Sequence, residues 1–322
     1  MKKNTDIGLR RFAAAAIERQ WRALTRELPR LARRSRGIEP IHRARVACRR
    51  LRTMFDVFRG CIPGRAVKKW RREIRRLGRA LGKARDADVT ASILRDALKH
   101  ASDPDVRPGI RRLLLRQRQG REELQADIES AVRRIRRAGL PDETAVFASA
   151  AGRRKRAEAG APAAADKSLN RARKEAAARL DAMLGFAKTA RNPKRTEALH
   201  RMRIAAKHLR YSLEALAPLL DRDVKPAVAA LRKLQDRLGE IHDCGMCLAQ
   251  IPCFLAGERK LMRGHPGRNR HMARIAPGIK AFRRTLRERR AAVFIKLVKL
   301  VARLERESFR TRIRTALACR AG

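Results

Sequence analysis

One stretch of this 322-residue chain occurs twice, and this duplication constrains the fold more than any other feature of the sequence. Residues 41–52 (IHRARVACRRLR) align without a gap to residues 199–210 (LHRMRIAAKHLR). A second match follows in the same order and at nearly the same spacing, with Leu81-Gly82 aligned to Leu238-Gly239. Because self-similarity at a fixed spacing is typical of repeated structural units, the sequence predicts two related multi-helix units.

The composition between the two copies predicts where one unit ends and the next begins. Residues 150–167 are small, basic and of low complexity, which is typical of a linker. We therefore assign residues 1–149 to a first helical bundle and residues 168–322 to a second.

Most of the remaining sequence has the apolar spacing of amphipathic helices. Ala, Leu and Arg dominate and rank high in helix propensity, whereas aromatic residues make up only 4% of the chain. Folds rich in β-structure use more aromatic and β-branched residues. The sequence therefore predicts an all-α protein, with a first helix over residues 6–34 and a late loop over residues 257–266.

The charge balance predicts a polyanionic partner. The formal net charge is +49, from 81 Lys and Arg residues against 32 Asp and Glu residues. Such an excess repels itself in a compact fold, and nucleic acid, an anionic membrane or another polyanion would relieve the repulsion. We recognise neither a secretory signal nor a membrane-spanning segment, and the six cysteines do not suggest a disulfide framework. We therefore expect a cytoplasmic protein.

A row of cations at one-turn spacing lies in each copy of the repeat. The first row consists of His42, Arg45, Arg49 and Arg52. The second row, in the equivalent positions, consists of His200, Arg203, Lys207 and Arg210. The spacing i, i+3, i+7, i+10 places each row on one stripe of a helix, and an apolar stripe runs beside it.

A solvated basic face is the simplest alternative for such rows in a chain with 81 Lys and Arg residues. Three features argue against it. No acidic residue interrupts either row, each row begins with one of only seven histidines, and the pattern recurs. Arg offers a planar fork to phosphate oxygens, Lys a point charge and His a pH-dependent donor. The rows therefore predict a receptor for a chain of phosphates.

The rows, together with the motifs Leu81-Gly82-x-x-Arg85-Asp86 and Leu238-Gly239-x-x-His242-Asp243, resemble the CHAD family, the conserved histidine α-helical domain. The resemblance implies two helical bundles related by pseudo-twofold symmetry, with a central basic groove or pore. It also implies binding of inorganic polyphosphate and association with polyphosphate granules. The Glu-x-Glu-x-Lys strand of the triphosphate tunnel domain, which supplies activity in some relatives, is not found in the sequence. We therefore expect binding without catalysis.

The resemblance also assigns roles to individual residues. It implies that all eight residues of the two rows contact phosphate. Arg76 and Lys233, which are equivalent in the repeat, are expected to be secondary binding residues. Asp86 and Asp243 match the Asp positions of the family, and we expect each either to cap the next helix or to hold a groove arginine in place.

Other functions and sites are less well supported by the sequence. Nucleic-acid binding is the main alternative, and we expect it to occur non-specifically at low salt, but the chain has few aromatics for base stacking. A phosphohydrolase is a weaker alternative, because neither row contains a carboxylate and no Ser or Cys nucleophile recurs. No cofactor or metal is predicted, because Cys244-x-x-Cys247 lacks a second Cys pair and both thiols are interpreted as core residues.

Overall fold

The computed structural model describes residues 5–33, 38–153 and 162–318, and none of these residues lies in a β-strand. The prediction of an all-α fold is therefore confirmed. The α-helices of these ranges are α1 (Thr5–Thr25), α2 (Leu28–Ala32), α3 (Ile38–Val57), α4 (Gly64–His100), α5 (Arg107–Glu123), α6 (Gln125–Arg137), α7 (Leu140–Arg153), α8 (Pro162–Gly185), α9 (Thr196–Leu216), α10 (Lys225–Leu261), α11 (Arg268–Leu304) and α12 (Glu307–Leu317). None of them is both long enough and apolar enough to cross a bilayer.

The two copies of the repeat form equivalent groups of helices. In the first half α3 packs between α1 and α4, and in the second half α9 packs between α8 and α10. Equivalent helices of the two halves also pack on each other, with α3 against α9, α1 against α8 and α4 against α10. Contacts between equivalent surfaces are what a pseudo-twofold arrangement requires, although the symmetry itself stays a prediction.

The hydrophobic core is shared by the two halves. One continuous cluster of buried side chains includes Leu51 and Phe55 of α3 together with Leu209 of α9 and Leu297 of α11. A smaller cluster, built around Leu94, joins α4 and α5 to α10 and α11. The two predicted bundles are therefore packed as one body, because apolar surface from each half is buried against the other.

A close crossing of α5 and α11 joins the two halves a second time. A Cβ atom on Gly278 would lie 2.1 Å from a backbone oxygen of the α5 segment, and one on Gly109 would lie 2.2 Å from a backbone oxygen of α11. Only glycine allows two backbones to approach this closely. Nearby, Nε of Arg112 donates to the buried carboxylate of Glu258 at 2.7 Å, which links α5 to α10.

Several element boundaries differ from those expected from the sequence. Helices occupy both ends of the predicted linker at 150–167, because α7 continues to Arg153 and α8 begins at Pro162; residues 154–161 lie outside the described residues. The first helix ends at Thr25 rather than near residue 34, and Pro29 lies in the first turn of the separate helix α2, where proline is tolerated. The loop predicted from residue 257 begins later, because α10 continues to Leu261.

Candidate functional site

Helix α3 places the first row at the edge of the packed core. The apolar stripe beside the row, which includes Cys48 and Leu51, is fully buried. Arg45 and Arg49 are half-buried, whereas His42 and Arg52 at the two ends of the row are exposed. The amphipathic pattern of the helix thus fixes which way the cations face.

Helix α9 places the second row deeper. The apolar residues Met202, Ala206 and Leu209 are buried beneath it. All members of the row are half-buried, namely His200, Arg203, Lys207 and Arg210. The second row is therefore more desolvated than the first.

The two rows face each other across the junction of α3 and α9. Burial, and after it the charges of Arg203, Arg49, Arg45 and Arg52, together lower the pKa of Lys207 to about 8. Burial likewise lowers the pKa of Arg203; Asp243 opposes this shift, whereas Arg45 and Arg49 of the other half add to it. Cations of both halves therefore act on one another in a region that is partly shielded from water. The two rows therefore lie beside each other although they belong to different halves of the chain.

The central cations of this cluster form no ion pair with a carboxylate among the described residues, although the charge of Asp243 acts on Arg203 from a longer distance. Among the residues that the structure describes, no carboxylate lies within 4.0 Å of Arg49, Arg52, Arg203 or Lys207. Elsewhere on this protein arginines commonly pair with carboxylates, as Arg71 does with Asp56 at 2.8 Å. Uncompensated cations that are held together by the fold favour an anionic ligand, because only such a ligand relieves their mutual repulsion.

Two aspartates stand at the side of the rows. Nη1 of Arg45 donates to the backbone oxygen of Gly82 at 3.1 Å and to Asp86 at 3.2 Å. In the second half burial raises the pKa of Asp243, while Arg203 opposes that rise. Both aspartates lie in the middle of long helices, so the prediction that they cap helices is wrong. The alternative, that an aspartate holds a groove arginine in place, is confirmed for Asp86 and Arg45.

Tyr211 is a site residue that the sequence analysis did not select. Its hydroxyl accepts a hydrogen bond from Nε of Arg49 at 3.0 Å, which joins the two halves. The guanidinium carbon of Arg210 lies 4.4 Å from the centre of the same ring, within cation–π distance. Tyr211 is buried and is the only tyrosine of the chain. The one sequence feature that could have indicated Tyr211 is its position directly after Arg210.

Arg210, the last member of the second row, is already paired. Its Nη1 lies 2.8 Å from Glu214, and its Nε donates to Gln235 at 3.0 Å. Glu214 also approaches Arg50 at 3.8 Å and Arg232 at 3.4 Å. Arg210 is therefore held in an ionic network, and less of its charge is available to a ligand than that of Lys207.

The histidines lie at the ends of the rows, beside further basic groups. Burial lowers the pKa of His42, and the neighbouring cations Arg85 and Arg49 lower it further. In the second half the imidazole rings of His200 and His242 lie 5.6 Å apart between centroids, tilted by 36°. Arg85 and His242 occupy equivalent positions of the repeat, so each half places a basic side chain beside its row histidine.

The two expected secondary residues lie in other surroundings. Nη1 of Arg76 contacts the buried carboxylate of Glu73 at 2.8 Å, and Arg134 of α6 approaches the same carboxylate at 3.5 Å. This cluster belongs to the contact of α4 with α6 and not to the contact of α3 with α9. Lys233 is exposed on α10, and no contact recorded for the described residues joins it to either row. The structure therefore does not bring Arg76 or Lys233 into the cluster.

The cysteine pair of α10 belongs to the core. Cys244 and Cys247 are both buried, and burial raises the pKa of Cys247 to about 11. Cys247 also contacts the hydroxyl of Thr90, with 3.7 Å between the sulfur and the oxygen. The interpretation of these thiols as core residues is confirmed.

Comparison with known proteins gives one family and two similar folds. The family model described as CHAD domain matches residues 8–250. The crystal structure of the CHAD domain from the plant Ricinus communis is similar over 97% of this chain and 93% of its own, with 21% identity and a TM-score of 0.56. PptA from Streptomyces chartreusis is similar over 90% of this chain and 97% of its own, with 18% identity and a TM-score of 0.61. No curated protein sequence matches the chain.

Proposed function

The chain belongs to the CHAD family, and on that premise we propose that it binds inorganic polyphosphate between α3 and α9 without altering it chemically. The observation that carries the proposal is the cluster of Arg49, Arg203 and Lys207, cations from both halves with no carboxylate partner among the described residues. A chain of phosphates offers negative charge at regular intervals, and each phosphate accepts charge-assisted hydrogen bonds. Such a ligand can satisfy several cations of both rows at once.

The residues of the two rows take different parts in the proposed binding. Arg203 and Lys207, which are half-buried, make the strongest contacts because a charge-assisted bond gains strength where water is excluded. Arg45 is oriented by Asp86 and presents a fixed donor. Arg52 and His42 are exposed and extend the positive surface on which a chain can continue.

We propose binding without hydrolysis. Asp86 is already occupied by Arg45, whereas Asp243 has no hydrogen-bond partner among the described residues and Arg203 acts on it only through its charge. A general base normally has a partner that orients it and a reacting group within hydrogen-bond distance. The expected result is that incubation with polyphosphate releases no orthophosphate above the level of a protein-free control. In the cell, the same binding would place the protein in the cytoplasm on polyphosphate granules.

Nucleic-acid binding is the second candidate, and a separate surface favours it. Exposed cations follow one another along α11, among them Arg268, Arg270, Arg274 and Lys280. A sequence-independent contact with a phosphate backbone needs no more than such a surface, and its strength falls steeply with salt. We expect this binding at low salt only.

A competition experiment with two matched variants tests the proposal. Labelled long-chain polyphosphate is bound at near-physiological salt, and duplex DNA, single-stranded RNA or short phosphates are added at equal phosphate concentration. In the groove variant the residues Arg45, Arg49, Arg203 and Lys207 are replaced by Ala. In the control variant the residues Arg268, Arg270, Arg274 and Lys280 are replaced by Ala, which removes the same formal charge from exposed positions.

We expect the groove variant to lose at least about 1,000-fold in polyphosphate affinity, because several desolvated ionic contacts disappear together. The control variant should lose less than about tenfold, because exposed charges contribute little each. Helix content should be unchanged in both. Equal losses in the two variants, or equal competition by nucleic acid, would identify a general polyanion binder and overturn the proposal.

A further inference from the structure

A small pocket opens at the end of the second row, between α9 and α10. Its volume is about 270 Å³. Its polar lining includes His200, Arg203 and His242, so it is continuous with the proposed phosphate site. Thr196 and Arg290 also line it, and the remaining side chains are apolar, namely Leu199, Leu238, Ile241 and Met246.

The apolar walls have no function toward a bare phosphate chain. Phosphate oxygens need donors, and moving them against Leu199 or Ile241 would remove water without replacing its hydrogen bonds. A pocket that combines apolar walls with a few convergent polar groups is instead typical of a site for an organic molecule. The pocket therefore indicates a ligand that carries a flat, partly apolar group at the end of its phosphates.

The equivalent place in the first half is built differently, so the pocket does not follow from the repeat alone. Gly245 lines the pocket, and a Cβ atom built on it would meet nothing within 4 Å. The equivalent position of the first copy is Asp88, whose carboxylate accepts a bond from Nε of Arg121 at 3.1 Å. Ile241 likewise replaces Ala84. The first half fills this place with an ion pair, whereas the second leaves it open and makes it more apolar.

The size and the chemistry of the pocket suit a heteroaromatic ring. Its volume lies below the usual range of about 300–1,000 Å³ for small-molecule sites, so it admits a ring system rather than a whole molecule. Burial lowers the pKa of His242, and Arg203 and His200 lower it further, which favours the neutral imidazole in the unliganded protein. A neutral imidazole offers one donor and one acceptor to the edge of a ring.

We propose that this pocket binds the base of a nucleoside 5′-triphosphate whose phosphates lie on Arg203 and Lys207. The inference rests on the proposed phosphate site, because it uses the same two cations for the triphosphate. It adds a second ligand class to that site, recognised by its ring and not by the length of its phosphate chain.

The experiment compares ATP with inorganic tripolyphosphate, with adenosine as a further probe, at one salt concentration and without divalent cations. On charge alone tripolyphosphate should bind at least as tightly as ATP. We expect ATP to bind about tenfold tighter, which corresponds to about 1.4 kcal/mol. Adenosine should bind weakly, because it lacks the phosphates.

Two variants test whether the pocket causes the preference for ATP, one that fills the pocket and one matched control. Gly245→Leu places a side chain in the pocket and should reduce ATP affinity to that of tripolyphosphate, with long-chain polyphosphate binding unchanged. Gly257→Leu makes the same change on α10 at a glycine that also has open space and does not line the pocket. This control should keep the preference for ATP.

The outcomes separate the two proposals. If ATP binds no tighter than tripolyphosphate while long-chain polyphosphate binds well, the base pocket is wrong and the proposed function stands. The same conclusion follows if Gly245→Leu leaves the ATP preference intact. If none of the phosphate ligands binds, the proposed function fails and the pocket proposal fails with it.

Discussion

The two rows share a sequence pattern but lie in different surroundings. In the first row the end residues His42 and Arg52 are exposed, and Arg45 is paired with Asp86 at 3.2 Å. In the second row every member is half-buried, and Lys207 has no carboxylate within ion-pair distance among the described residues. The repeat therefore determines where the cations lie, whereas burial and pairing determine how much binding free energy each cation gains from contact with an anion.

The second row should therefore supply most of the binding energy and the first row most of the long-range attraction. A half-buried cation has lost part of its hydration and gains more from a phosphate than an exposed one does. An exposed arginine stays hydrated and contributes mainly to the field that draws a polyanion toward the site.

The largest expected difference in polyphosphate affinity is between two variants, each with one residue of one row replaced. Lys207→Met should reduce polyphosphate affinity roughly 50-fold, because a desolvated ionic contact is worth about 1.5–3 kcal/mol. Arg52→Met should reduce it only about threefold, because exposed ion pairs are worth about 0–1 kcal/mol. Isothermal titration at one salt concentration measures both. Equal losses would mean that burial does not distinguish the rows.

The pH dependence of binding should come from the second row. Since the pKa of Lys207 is about 8 without ligand, and a bound anion raises it, binding takes up a proton above pH 8. Affinity for long-chain polyphosphate should fall roughly tenfold between pH 7.5 and 9.5. Lys207→Arg should flatten this dependence, because arginine stays charged throughout. An equally steep fall in that variant would assign the effect to another group.

Tyr211 provides a test of the bond between the rows. Tyr211→Phe removes the hydroxyl that accepts from Arg49 and leaves the ring beside Arg210. Polyphosphate affinity should fall about threefold, because Arg49 loses one neutral hydrogen bond that orients it. The thermal midpoint of the unliganded protein serves as the control and should change little. A loss of polyphosphate affinity as large as that of Lys207→Met would show that Tyr211 does more than orient Arg49.

The smallest expected effect is on the stability of the unliganded protein. The pKa of Lys207 is lowered to about 8 from 10.5, so the unfolded chain binds more protons between these values. Wild-type stability should therefore rise as the pH rises through this window. At pH 7, Lys207→Met should raise the thermal midpoint by about 2 °C, while Arg52→Met should not. Calorimetry at pH 7 and pH 10 measures the thermal midpoints. A higher midpoint of Lys207→Met that persists unchanged at pH 10 would contradict the prediction.

The helical fold and the two rows were predictable because they depend on local periodicity and on the repeat. Cys48, Leu51, Met202 and Leu209 alternate with the cations at helical spacing, and the structure buries all four. The repeat also predicted that the two rows would lie in equivalent helices. That these helices pack on each other followed only from the family resemblance.

The remaining features depend on contacts between segments distant in sequence. Arg76 was expected as a secondary binding residue because it is equivalent to Lys233 in the repeat, but Glu73 pairs with it in another cluster that also contains Arg134. Tyr211 was not predicted as a site residue, because its bond to Arg49 crosses from one half to the other. The difference in burial between the rows could not be predicted either, because the two rows have nearly identical sequence patterns.

The crossing of α5 and α11 at Gly109 and Gly278 has a kinetic consequence. The halves are joined there at backbone distance and joined again by the bond of Arg49 to Tyr211, so the relative position of α3 and α9 is fixed before any ligand arrives. If polyphosphate binds between the rows as proposed, it meets cations that are already in place and requires no closing movement of the halves. We expect the observed association rate to rise linearly with polyphosphate concentration, without the plateau that a slow conformational step would impose.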